Sequence, residues 1–316
     1  MKPHLMDIRI NTKLPKIPPV LPVYLVRAVS LEERQQAIGL FRELLKLDKL
    51  VMIDSEDSLY YQGSDGEIQF FRASGSIWAD TARADEKYPD ECRPWKVMEV
   101  KDKNDPENSN LVLVKAEEKR LAKQSEQLFK EAGLLSAEAF FSGVTLDQVA
   151  KLDEKGKQTE RAVGEANARF LYRLDGIEVD GPGAKTYAFY NPGKNSHQFT
   201  GAYHAWRPVK DKRKVKMEKI EEILDQTLMQ DPELKMYGTC GSAISIQKVD
   251  LCYWALQPDV NQDYIFPTLR VEGNVVYENS SKEPEGFEFS RYYNAVAPQE
   301  YARSQIYAHY LVERSV

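Results

Sequence analysis

A chain of 316 residues is long enough for two or three cores. With 42% apolar and 29% charged residues it has the mix of an ordinary soluble globular protein, which excludes global disorder. A formal charge of −6 argues against a nucleic-acid partner that needs a net basic surface, and no run approaches the roughly 20 apolar residues of a membrane span.

Residues 1–22 read as an N-terminal extension, interrupted by Pro15, Pro18, Pro19 and Pro22. The stretch lacks the unbroken apolar centre of a signal peptide. A cytoplasmic location is therefore expected, or an extracytoplasmic one if a leader has been removed. The first unit, 23–100, opens with Val23-Tyr24-Leu25-Val26 as a strand. Ser30 with Glu33 makes a capping box, and Ile38, Phe41, Leu44 and Leu45 recur at helical spacing. Ser58–Gln62 and Glu67–Arg72 flank Gly63-Ser64-Asp65-Gly66 and predict a hairpin.

Residues 101–110 are polar, contain Pro106 and read as a linker. The second unit, 111–210, begins with the strand Leu111–Val114. A helix follows with Leu121, Leu128, Phe129 and Ala132 on one face, and Gly133 is placed to end it. Residues 151–165 are charged and predict a loop or a solvated helix. Strands are predicted at Phe170–Leu174, Ala184–Tyr190 and Gln198–Trp206, with a turn at Asn191-Pro192-Gly193-Lys194. The third unit, 211–316, carries Ile220, Ile223, Leu224 and Leu228 on a helix that Asp231-Pro232 stops. Strands are predicted at Ala243–Gln247, Val249–Leu256, Tyr264–Arg270 and Asn274–Tyr277, and a last helix from Pro298. The expected fold class is α+β, built from repeated units of one helix packed on antiparallel strands in two or three lobes.

The run Tyr172-Arg173-Leu174-Asp175-Gly176-Ile177-Glu178-Val179-Asp180-Gly181-Pro182-Gly183-Ala184-Lys185, followed by Ala205-Trp206-Arg207-Pro208, resembles the second strand pair of PepSY-type domains. Extracytoplasmic regulators of the YycH and YycI kind share the arrangement. Val249–Trp254 with Tyr264–Pro267 and Val271-Glu272-Gly273 looks similar. The resemblance runs from Asn167 to Gly273, and more loosely over the rest of the chain. The resemblance implies a non-catalytic module that binds or inhibits a protein; the chain differs from those regulators in having no N-terminal membrane anchor.

Each candidate for chemistry has a plain structural alternative. Gly181-Pro182-Gly183 precedes a strand, so it reads as a tight turn and not as a phosphate loop. On Gln198–Trp206, alternation groups Gln198, Thr200, Ala202, His204 and Trp206 on a half-exposed face, with Phe199, Tyr203 and Ala205 on a core-like one. His204 beside Trp206 and Arg207 lines a pocket as an acid or base, or is an ordinary surface histidine. Cys240, among small neighbours, is a candidate nucleophile or an ordinary loop thiol. The three cysteines Cys92, Cys240 and Cys252 are expected to be reduced, given their odd number and the missing secretion signal, with a Cys240–Cys252 pair across a hairpin as the alternative. The basic run Lys210–Lys219, with Lys212 and Arg213 at its centre, meets an acidic partner or phosphate, or is a solvated helix start. Histidines and cysteines are too scattered for a metal site.

These readings lead to a non-catalytic binding or regulatory protein with no cofactor. It recognises a protein, a peptide or a small apolar ligand on its sheet faces or between units, with Tyr203, Trp206, Arg207, Trp254, Lys212 and Arg213 as binding residues. The alternative is a hydrolase or cyclase that uses His204 or Cys240 in a pocket between units.

Overall fold

The structure, a computed structural model, describes residues 7–81, 94–101, 109–156, 158–192, 198–228, 231–239, 242–277 and 286–303. Strand outweighs helix, so the fold is mostly β around one large mixed sheet.

The strands β1 (Asp7–Ile10) and β2 (Val20–Val26) come first. Helix α1 (Leu31–Leu44) starts at the predicted capping box, with the Ser30 and Glu33 side chains each bonded to the other's backbone N–H. A meander follows: β3 (Val51–Asp54), β4 (Ser58–Gly63), β5 (Gly66–Phe71) and β6 (Ile77–Thr81). Its middle pair is the predicted hairpin. β7 (Val97–Lys101) and β8 (Ser109–Leu113) pair apart from the main sheet. Helix α2 (Lys115–Glu131) is followed by Gly133, with a φ of 67°.

β9 (Ala139–Leu152) and β10 (Gln158–Leu174) form a long hairpin. It runs through most of 151–165, where the sequence predicts a loop or helix. The buried positions at and just beyond the end of this stretch, Val163, Ala166 and Ala168, are small, so the strand has little apolar contrast to read. β11 (Ile177–Asp180), β12 (Lys185–Asn191) and β13 (Gln198–Ala205) follow. The basic run belongs mainly to β14 (Val209–Lys216), a strand and not a helix start. It sits at one end of the sheet, where exposed lysines keep a strand edge from pairing with other chains.

Asp231-Pro232 stops α3 (Ile220–Leu228) and also opens α4 (Pro232–Thr239). The Asp231 carboxylate accepts from the N–H groups of Glu233 and Leu234, both at 3.0 Å, and Pro232 fills the first helical position. β15 (Ser242–Trp254) and β16 (Tyr264–Tyr277) each merge two predicted strands, with a register shift between Ile246 and Lys248. β17 (Gly286–Asn294) and α5 (Pro298–Arg303) complete the described chain.

The sheet runs β14-β2-β16-β15-β11-β10-β12-β13-β6-β5-β4-β3, with β1 on β15, β17 on β16 and β9 on β10. Among the described strands, β1 and β11 pair parallel to β15 and the other pairings are antiparallel. Strands from the 23–100, 111–210 and 211–316 segments thus share one sheet. Helices α1 and α2 cover one face of the half from β9 to β3, and α3 and α4 pack on the half around β15 and β16. Between the halves lies an aromatic seam in which Tyr172 stacks on Trp206 with centroids 4.2 Å apart, and Tyr24 meets Tyr253 edge-on at 5.2 Å.

At the seam, the Gly181-Pro182-Gly183 turn lies against the backbone of Ala255 and Leu256. A Cβ on Gly183 would fall 2.0 Å from the Leu256 carbonyl oxygen, so only glycine fits. Arg207 reaches the same loop and donates to the carbonyls of Leu256, Gln257 and Val260, each at 2.6 Å.

Candidate functional site

The helix-covered face of the first half is lined with small residues. Ala168, Ala188, Ala202 and Ala79 stand opposite one another across β10, β12, β13 and β6, and all are fully buried. Small side chains there let α1 and α2 lie close on the sheet. The large side chains of the same strands point the other way.

On that opposite face, Arg169, Tyr187, Tyr203, Trp78, Gln69 and Tyr60 follow one another across six strands. A parallel row runs Asn167, Phe189, Gly201, Asp80, Glu67 and Gln62. Trp78, Tyr187, Phe189 and Tyr203 are half-buried and touch one another, with centroids 5.6–6.3 Å apart. Gly201 makes this possible: a Cβ there would meet Phe189 Cδ2 at 3.0 Å, so the Phe189 ring leans across β13 onto Trp78. The Tyr203 hydroxyl donates to the Pro182 carbonyl at 3.3 Å, and burial pushes its pKa up to about 12. Gln69 donates to the Tyr60 hydroxyl at 2.7 Å, which fixes the far end of the row.

Carboxylates flank the rings. Gln62, Glu67 and Asp80 line a pocket of about 240 Å³. Glu165 on β10 stands opposite Asp147 on β9. Burial, followed by the negative charges of Asp147 and Asp80, pushes the Glu165 carboxyl up to about 7. Asn167 donates to Asp147 at 3.4 Å, and Arg169 donates to the Ser142 hydroxyl at 3.0 Å. The site is an aromatic strip with an acidic margin. It lies on a face that none of the described helices covers, and it offers stacking surface, hydrogen-bond acceptors and one carboxyl poised to gain or lose a proton near neutrality.

Of the residues predicted from sequence, Tyr203 alone belongs to this strip. Its face was assigned to the core, and the structure reverses that assignment. A register shift between Phe189 and Tyr190 turns Phe199 toward the helices, where it meets Phe41, and leaves Tyr203 on the open face. His204 is not half-exposed but 1% exposed, on the helix side. Arg34 Nη2 donates to His204 Nε2 at 3.4 Å, so the ring proton sits on Nδ1, which donates to Thr186 Oγ1 at 2.9 Å. Thr186 in turn meets the Tyr172 hydroxyl at 2.6 Å. Burial, and then the Arg34 charge, hold the imidazole neutral, with a pKa well below its ordinary value.

Trp206 and Arg207 are buried in the seam and its loop, and bound ligand cannot reach them without opening that loop. Trp254 packs on Tyr292 with centroids 3.9 Å apart. Lys212 is exposed and pairs with Asp175 at 2.8 Å, and Arg213 stands beside Val23 on the β2–β14 ladder. Cys252 is a free, buried thiol whose pKa burial raises. Cys92, Cys240, His4, His197 and His309 lie outside the described residues. Among the described residues no cluster of His, Cys, Asp and Glu is placed to hold a metal ion, and no helix is long and apolar enough to cross a membrane.

Trp78, Tyr187 and Phe189 were missed in the sequence. Their signal was present: Thr186-Tyr187-Ala188-Phe189 alternates small with aromatic, Trp78 stands next to Ala79, and the alanines mark the helix side.

No family model matches the chain, and no curated protein matches it. Among solved structures it is similar to an uncharacterized protein from Eubacterium rectale, with 11% identity over 88% of this chain and 84% of that one, at a TM-score of 0.47.

Proposed function

We propose that this is a non-catalytic binding protein that holds a basic peptide segment across the open aromatic strip. The observation that carries the reading is the contact group of Trp78, Tyr187, Phe189 and Tyr203 on a face that none of the described helices covers, bordered by Glu67, Asp80, Asp147 and Glu165. Aromatic faces attract Lys and Arg side chains by cation–π interaction, and clustered carboxylates favour the same charge. Six strands about 4.8 Å apart make a strip about 24 Å long, the reach of about seven extended residues. An elongated ligand suits this surface better than a compact one. The resemblance to PepSY-type modules supports a non-catalytic binder, and the repeated helix-on-sheet plan is part of the same proposal, with two helices on one face of each half.

Calorimetric titration with a Lys/Arg-rich octapeptide and with its Asp/Glu counterpart tests the reading. The basic peptide binds, added salt weakens it, and Trp78→Ala reduces affinity about tenfold or more, equivalent to about 1.4 kcal/mol. A neutral oligosaccharide binding this face in place of the peptide, or no binding of the basic peptide, defeats it.

One observation favours a second reading, an enzyme of the hydrolase type. A carboxyl near pKa 7 opposite a second carboxylate is the pairing that acid–base chemistry uses. Glu165 then takes the acid role that the sequence offered to His204. Turnover of a test substrate that Glu165→Gln abolishes without loss of binding would establish it.

A further inference from the structure

The large sheet ends differently on its two sides. At one end β14 presents exposed Lys210, Lys212, Lys214 and Lys216, which guard the edge. At the other end β3 has no such guard, and among the described strands none pairs with its outer edge. Its three apolar residues are all exposed, Val51 65%, Met52 58% and Ile53 47%. Ile53 stands opposite Tyr60 and Val51 opposite Gln62, so these two extend the rows of the aromatic strip by one strand. Met52, opposite Tyr61, points to the helix side. Apolar side chains on both faces of a free edge are what isolated sheets avoid.

The backbone of this edge is open in a defined pattern. The Ser55 N–H donates to the Ser58 carbonyl at 3.0 Å. Alternation along the antiparallel ladder then turns the N–H and C=O groups of Val51 and Ile53 toward β4, and those of Met52 and Asp54 outward. Charge is also ordered along the strand. Lys46, Asp48 and Lys49 precede it, and Asp54, Glu56 and Asp57 close it, all of them exposed. Arg72 pairs with Asp54 at 2.5 Å, which leaves Glu56 and Asp57 to set the sign of that end.

We propose that β3 pairs antiparallel with β3 of a second copy of this chain, about a two-fold axis at Met52, joining the two sheets edge to edge. Met52 of one copy then exchanges backbone bonds with Met52 of the other, and Val51 of each lies beside Ile53 of the other. The basic start of each strand comes to lie beside the acidic end of its neighbour. A parallel neighbour would set like charges side by side, so the charge order selects the antiparallel, self-complementary arrangement. Each aromatic strip continues onto the other copy, whatever the strip binds. One short strand per copy makes a small contact, so the dimer is a weak one that forms in the micromolar range.

Sedimentation equilibrium of the full chain, from low micromolar to submillimolar concentration, is the test. The mass rises with concentration from that of one chain, 36.2 kDa, toward twice that value. Met52→Pro removes an outward N–H and leaves the bonds to β4 in place, so association weakens about tenfold or more. Ile53→Lys, at an exposed position, weakens it as much. Both variants keep the wild-type melting temperature at concentrations where wild type is a monomer. Lys49→Glu also weakens association, and adding Glu56→Lys and Asp57→Lys restores it. A single-chain mass at every concentration, or a dimer that Met52→Pro and Ile53→Lys leave intact, would overturn the proposal. So would a chain that stays monomeric and instead takes up a foreign extended peptide along β3.

Discussion

Two titrating side chains of this protein pull its stability in opposite directions with pH. Glu165 holds its proton up to about pH 7, against an ordinary value of 4.5. Between those values the folded chain binds more protons than the unfolded one, so this group's contribution to stability falls as pH rises through the window and is level above it. Glu165→Gln removes the effect. Relative to wild type, its melting temperature is unchanged near pH 4 and higher near pH 8, as a series of thermal melts will show. His204 has the reverse sign. Its folded pKa is lowered from 6.5, so below that value the unfolded chain takes up a proton that the folded chain refuses, and stability is lost on acidification. His204→Ala leaves the Arg34 and Thr186 groups without their partner and costs about 1–3 kcal/mol in denaturant unfolding at neutral pH. A mutant as stable as wild type would contradict the buried network. Tyr203 and His204, adjacent in sequence, show how far single residues were legible. Alternation correctly placed them on opposite faces, but which face is inside depends on a bulge and on a row of alanines. The rule that aromatics go inside gave the wrong sign.

Elements defined by their own ends were readable, and those defined by distant partners were not. The capping box of α1, Gly133 after α2 and the β4–β5 turn are local chemistry, and each lies where the residues place it. β14 and the 151–165 part of the β9–β10 hairpin carry charge along most of their length, and only the pairing of β14 with β2, and of β9 with β10, makes them strands. The Gly181-Pro182-Gly183 element lies between these cases. The sequence predicts a turn there but not what the turn presses against. Gly183→Ala places a methyl group on the Leu256 carbonyl and disturbs the three bonds that Arg207 makes to the same loop. The expected cost is about 2–3 kcal/mol, with faster amide hydrogen exchange across residues 255–262. Gly176→Ala has open space around the new methyl and pays only for its left-handed backbone, so exchange in that loop stays at the wild-type rate.

At the scale of the whole molecule, the two helix-covered halves are joined by strand pairing through β11 and by the Tyr172–Trp206 seam. They are therefore expected to unfold together, in one calorimetric transition. Trp206→Ala, which empties the seam, lowers that single midpoint at a cost of about 3–5 kcal/mol. Two resolved transitions in wild type would show that the halves are independent. This connectivity was not legible, because sequence patterning reports faces and periods while sheet order depends on pairings far apart in the chain. The most distant of these carries a consequence in time. Asp7 pairs with Ala243 and Tyr24 with Ile265, so during synthesis β1 waits for more than two hundred further residues before its neighbour β15 exists, and β2 waits nearly as long for β14 and longer for β16. The β3–β13 half can assemble while synthesis continues, whereas β2 stays unpaired until β14 emerges and β1 until β15 does. Closing so long a loop is slow. The last step of folding therefore returns to β1 and β2, and the interval before it is when the nascent protein most needs a chaperone.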